Sequence, residues 1–131
     1  MIQKLRAKRD LRREEGAAAV EFAIVAGLLF MIVFGIIVFG IVFSQYQSFA
    51  AAAREAARVA AVRGDSGQIV TAAEGATPYE IQGTPTADIS CTDDTSGDPV
   101  TVSWVQEFEI DIPFVPRMTP DVEISGTFRC E

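Results

Sequence analysis

Histidine is absent from this chain, and cysteine occurs only twice. The first absence removes the side chain most often used as a general base or metal ligand near neutral pH. There is also no C-x-x-C pair and no glycine-rich phosphate loop. Cations are scarce in the second half, where residues 64–131 hold only Arg117 and Arg129 against thirteen acidic side chains. Such a surface repels a phosphate backbone, which argues against nucleic acid as a partner. The cluster Asp93, Asp94, Ser96 and Asp98 has calcium-ligand residue types without the spacing of a calcium hand, so it reads as a polar turn. With no catalytic set, no metal site and no cofactor site in view, the sequence points away from an enzyme.

What is present is an asymmetry. The 131 residues carry a net charge of −7, yet residues 1–15 are basic, with Lys4, Arg6, Lys8, Arg9, Arg12 and Arg13 against three acids. Between the basic and acidic parts, Phe22 to Phe43 reads FAIVAGLLFMIVFGIIVFGIVF, without a charge or a proline. As a helix this run spans about 33 Å, enough for the hydrocarbon core of a bilayer. The positive-inside rule then puts the N-terminus in the cytoplasm and the acidic part across the membrane, periplasmic or on the cell surface. A cleaved secretory signal competes with this reading, with Ala50–Ala53 imitating a signal-peptidase site. Its apolar core is normally about 7 to 15 residues, shorter than the run here.

The helix is expected to outlast the membrane. Residues 44–63, SQYQSFAAAAREAARVAAVR, are rich in alanine with arginine and glutamate, all good helix formers, and Gly64 is the expected cap. One helix over about 17–63 follows, with Phe49, Ala53, Ala57, Ala60 and Ala61 as a narrow stripe of mostly small residues. Such a stripe invites close approach, either of another helix or of the chain's own domain.

Beyond Gly64 the period shortens to two. Gln68–Glu74 is read as a short helix and Gly75–Thr86 as a loop. Val100, Val102, Trp104, Phe108, Ile110 and Ile112 alternate with polar residues as a strand interrupted near Val105 and Gln106. After the proline-rich connection Pro113–Pro120, Val122, Ile124, Phe128 and Cys130 form a second alternating set, and Ile89 with Cys91 a third, shorter one. An antiparallel sheet with one packed and one wet face is the natural outcome, and the alanine-rich helix end is the only long element able to cover it. The fold class is therefore α+β and membrane-anchored: a leader over 1–16, a long helix over 17–63 crossing the membrane at 22–43, and a small β-rich domain over 64–131. Cys91 and Cys130 share the parity of the apolar faces and lie in a compartment that permits disulfides, so a bridge is expected. The alternative is two buried, reduced cysteines acting as small apolar side chains.

The most informative stretch is RREEGAAAVEF, Arg12 to Phe22. A basic leader ends at Gly16, and Glu21 stands at the mouth of the apolar run. A carboxylate drawn into hydrocarbon there costs about 2 kcal/mol or more, unless it snorkels to the headgroups or meets a cation. Gly16 to Glu21 resembles the G-x-x-x-x-E signature of type IV pilin precursors. Together with GAAAVEFAIV (Gly16–Val25), AAAREAARVAA (Ala51–Ala61) and the terminal ISGTFRCE, it resembles more closely the TadE-like family of minor pseudopilins from the tight-adherence (Flp) pilus. The resemblance implies cleavage between Gly16 and Ala17 by a prepilin peptidase. It also implies pairing of Glu21, with Phe22 beside it, to the N-terminal amine of a neighbouring subunit. The implied partners are the membrane, other pilin subunits, the peptidase and the pilus assembly platform, with roles in pilus assembly or adhesion. Two departures stand out. Major pilins of this system are much shorter and lack such a domain, which suits a minor or initiating component, and Ala17 stands where many type IV pilins have phenylalanine. The competing class is an unprocessed signal-anchored surface protein with a binding domain.

Overall fold

In the computed structural model the backbone of residues 2–113 and 115–131 is described, with side chains from Gly16 onward. The leader's basic side chains, Lys4 to Arg13, lie outside the described residues. Among the described residues the α-helices and strands follow one another as α1 (Ile2–Ala61), α2 (Ser66–Gly75), β1 (Thr86–Ala87), β2 (Pro99–Glu107) and β3 (Asp121–Arg129). The chain divides into two units, Met1–Ile37 and Val38–Glu131. The fold is α+β, one long helix followed by a small antiparallel sheet.

In the first unit α1 is bare. Phe22, Ile24, Leu28, Phe30 and Ile36 are each between 59 and 73% exposed, and none of the helix's most apolar window is buried within the chain. By length and composition this is the one helix among the described residues able to cross a membrane. A helix apolar on every side, with no protein around it, suits lipid rather than water.

In the second unit the last turns of α1 lie on the sheet. Ala52, Ala53, Ala56, Ala57, Ala60 and Ala61 are at most 3% exposed. They form two adjoining clusters with the inner face of β2, where Val100, Val102 and Trp104 alternate with partly or fully exposed Thr101, Ser103 and Val105. Of the two occupants the alanine stripe invites, the chain's own domain takes the place. Gly126 on β3 marks the tightest approach, since a Cβ there would sit 2.5 Å from the carbonyl of Ala53. Small side chains on one element and none on the other let the two backbones come together.

The sheet has the order β1-β2-β3, antiparallel throughout. The long pair runs without a slip from Pro99↔Arg129 to Glu107↔Asp121. The expected break near Val105 and Gln106 is not there. Val105 faces solvent, while Gln106 occupies a core position at 3% exposure, so the alternation never changes phase. Its polarity is satisfied by a reciprocal clasp: the Gln82 backbone N–H donates to Gln106 Oε1, and the Glu107 N–H donates to Gln82 Oε1. The regular ladder ends after Glu107, beyond which the Phe108 N–H donates to the Pro120 carbonyl and an Ile110↔Met118 bridge follows. The third strand lies at Thr86–Ala87 and not at Ile89 and Cys91. Asp88 ends the pairing: its N–H donates to the Thr101 carbonyl and its carboxylate accepts from the Ile89 and Thr101 N–H groups. Phe128, expected on the packed face, is 43% exposed. Its cross-strand partner Val100 is fully buried.

Two features terminate α1. The helix starts earlier than the expected residue 17 and stops at Ala61 rather than 63. Arg63 N–H donates to the Ala60 carbonyl and Gly64 N–H to the Val59 carbonyl, the paired bonds of a Schellman cap. The left-handed position is Arg63, at φ 66°. Gly64 is needed for another reason, since a Cβ there would lie 2.5 Å from Val59 Cγ1. Asp65 then starts α2 with a full capping box, accepting from the Gln68 N–H at 2.8 Å while Gln68 Oε1 accepts from the Asp65 N–H. The short helix expected at Gln68–Glu74 is thus present, slightly longer, and buries Ile69 and Ala73.

Candidate functional site

The motif singled out by sequence lies in the first unit, on α1. Gly16, Ala17, Glu21 and Phe22 lie within two turns of one helix and are all exposed. Ala17 and Glu21 are four residues apart, so they sit one above the other on the same face. Nothing in the chain requires glycine at 16: a Cβ there would meet no atom within 4 Å. A helix interior prefers alanine to glycine by about 1 kcal/mol, so Gly16 is a weak point in the helix without a packing reason. Gly27, Gly35 and Gly40 are equally open, and what distinguishes Gly16 is its place at the end of the basic leader. Glu21 has no described salt-bridge partner within the chain.

The sheet domain places the other predicted pair in contact. Cys91 and Cys130 form a disulfide with Cα atoms 5.4 Å apart, closing a separation of 39 residues. Both are buried in the cluster that holds Ala56, Ala57, Ala60 and Val100. The strand parity of Cys130 is as expected, but Cys91 reaches it from a loop. The acidic turn flanks this bridge. Asp93–Thr95 forms one short helical turn, Asp93 pairs with Arg63, and Gly97 and Asp98 exchange backbone bonds with Cys130. The turn is thus a clamp on the end of β3. Among the described residues no group of three or more potential ligands is placed to hold a metal ion.

On the outer side of α1, Arg58 donates twice to Glu55 at 2.5 and 2.9 Å. This contact holds the Glu55 carboxyl below its ordinary range, against a smaller opposing effect of desolvation, and raises the Arg58 guanidinium. The R-E-A-A-R pattern therefore has a structural reading: the alanines go to the sheet, and the charges pair in solvent.

Residues 16–58 match the family model described as TadE-like protein. This is the family that the N-terminal motif resembles. The match begins at Gly16, covers the apolar run and ends at Arg58, leaving the β-rich part outside it. No curated protein and no solved structure gives a significant match.

Three contacts that shape the domain went unforeseen: the Gln82–Gln106 clasp, the Gly126–Ala53 approach and the Arg63 cap. A signal existed for the second. Gly126 falls on the inward parity of β3, between Ile124 and Phe128, and an inward glycine in a strand often marks another backbone close by.

Proposed function

We propose that the protein is a minor pilin-like subunit of a tight-adherence pilus, without catalysis of its own. It is made as a precursor, anchored by α1 and cut between Gly16 and Ala17 by a prepilin peptidase on the cytoplasmic side, with the sheet domain outside the cytoplasm. The observation that carries this reading is the meeting of three features at one point. The basic leader ends, the TadE-like match begins, and Glu21 follows one helical turn later on a helix of membrane length.

The chemistry of cleavage supports the role of Glu21. In the precursor Glu21 lies well inside α1, which begins at Ile2. After cleavage the helix would begin at Ala17, and Glu21 would stand near a helix N-terminus, where a negative charge is favoured. The new α-amine is cationic near neutral pH, with an ordinary pKa of about 7.7 to 8.0. A carboxylate held in an apolar bundle needs such a cation. In a filament the amine of an adjacent subunit supplies it, setting register as subunits leave the assembly platform.

Intact-mass measurement of the membrane-extracted protein tests the processing. A mass lower by the 16 leader residues is expected, and Gly16→Val should abolish that loss. Met1 retained would leave a signal-anchored surface protein instead, and a start near Ala51 would mean a signal peptidase. Glu21→Gln tests the pairing, because it keeps the shape and removes the charge. Insertion, cleavage and the domain should be unchanged while incorporation into pili falls. Pili that carry the variant as well as wild type would leave Glu21 as a snorkelling residue only.

A further inference from the structure

The end of the sheet domain nearest the anchor forms a groove of about 230 Å³ against α1. Phe39, Val42 and Phe43 line it from the helix, and Ile110, Pro120 and Val122 from the sheet end, with no polar surface between them. We infer that the sheet end around Phe108, Ile110, Met118 and Pro120 rests in the membrane surface and that this groove is filled by acyl chains of the surrounding lipid. The inference rests on reading α1 as the membrane anchor.

Depth is the first argument. Phe39, Val42 and Phe43 form the last turns of the apolar run Phe22–Phe43. That run measures about 33 Å against a hydrocarbon core of about 30 Å, so little of it can be lifted clear of the lipid. Phe39 is 70% and Phe43 51% exposed, as lipid-facing side chains would be. Residues that share a groove with them stand at the same depth.

The sheet end has the composition this depth requires. Beyond β2 and β3 the chain is held by the Ile110↔Met118 bridge, and Met118 is 49% exposed. Tyr46, one turn above Phe43, places its ring 6.5 Å from Phe108, an amphipathic side chain at the height where membrane proteins carry aromatic belts. Two of the nearby acids are drawn together by one cation, Arg117 reaching Glu109 at 3.5 Å and Asp111 at 3.3 Å, while Glu107, Asp121 and Glu123 face solvent. The far end of the domain is polar by contrast, with Arg63, Asp65, Gln68 and Asp93 all exposed.

Continuity with the anchor decides the occupant. A flexible hydrocarbon chain fits, and lipid already surrounds Phe39 and Phe43 on their other sides.

The test uses the full chain in phosphatidylcholine vesicles, with an environment-sensitive fluorophore on Met118→Cys. Equivalent labels are placed on Thr71→Cys, exposed on α2, and on Phe34→Cys, within the anchor. One label per chain shows that the native disulfide stayed closed. Emission from position 118 should shift to the blue relative to position 71. It should also be quenched several-fold more strongly when the lipid carries a nitroxide at acyl carbon 5. Position 34 should be quenched most by a nitroxide deep in the acyl chain. If 34 responds and 118 behaves like 71, the inference fails while the anchor stands. If 34 does not respond, both fail. Shielding of 118 without nitroxide quenching, growing with the protein-to-lipid ratio, would assign the groove to a second copy of the chain and overturn the lipid.

Discussion

The two parts of α1 make an instructive comparison. From Phe22 to Ile37 the helix carries Phe, Ile, Leu, Val and Met on every side and none is buried in the chain. From Phe49 to Ala61 it carries mainly alanine, less hydrophobic residue for residue, and one face of it is almost wholly buried. Hydrophobicity alone would have ranked them the other way. What selects protein contact is side-chain size, because an alanine face lets a sheet approach to backbone distance and a phenylalanine face does not. Lipid makes no such demand, since its chains adapt to a bulky surface.

The comparison is broken most severely by opening the disulfide, which ties the alanine-covered domain together and has no counterpart on the bare helix. The bridge closes 39 residues of separation, and in the chain-entropy model a loop of about 40 residues contributes on the order of 3 to 4 kcal/mol. Cys91→Ala with Cys130→Ala should therefore lower the domain's unfolding free energy by about that much. Urea denaturation followed by Trp104 fluorescence measures it. A midpoint unchanged in the double variant would show that the bridge decorates a core already sufficient without it.

Next in size is the helix–sheet contact itself. Ala53 is fully buried against the backbone of Gly126, so Ala53→Leu forces the two elements apart. Overpacking of this kind costs about 1 to 3 kcal/mol, sometimes more. The reverse change on the bare helix, Leu29→Ala, should leave the domain's urea midpoint where it was, because Leu29 is 57% exposed. A domain equally stable with leucine at 53 would mean that the alanine stripe is not chosen for close approach.

Much of this was legible because it depends on period and length. The apolar run, the break after the long helix, α2, and the alternation of β2 and β3 all declare themselves in local residue order. The misplacements have a common physical cause. Gln106 looked like an interruption because its polarity hid a core position satisfied by Gln82, 24 residues away. Phe128 looked buried because parity assigns a residue to a face but not how closely that face is covered at its position, and it is 43% exposed. Ile89 and Cys91 looked like a strand, whereas the Asp88 side chain takes the backbone donors that would continue the ladder. In the candidate site the reverse holds. Gly16, Ala17 and Glu21 fall within six residues, so sequence displays the whole motif, while the partner proposed for Glu21 would lie on another chain.

The smallest expected effect concerns the residue that ends α1, and it separates a backbone cost from an ion pair. Arg63 takes the left-handed position of the cap at φ 66°, a conformation that costs a residue with a Cβ about 1 kcal/mol and glycine little. It also pairs with Asp93, with the two side chains 49% and 89% exposed, a contact worth at most a few tenths of a kcal/mol at such exposure. Arg63→Ala removes the pair and keeps the cost, so it should destabilise the domain slightly, and less at high salt. Arg63→Gly removes both and should be more stable than Arg63→Ala by about 1 kcal/mol, after the larger unfolded-state freedom of glycine is set against it. Because neither variant has a guanidinium, that difference reports only the backbone. If the two variants unfold at the same urea concentration, the left-handed residue carries no strain. The cap would then owe its geometry to the Gly64 approach alone, and Arg63 would matter only through Asp93.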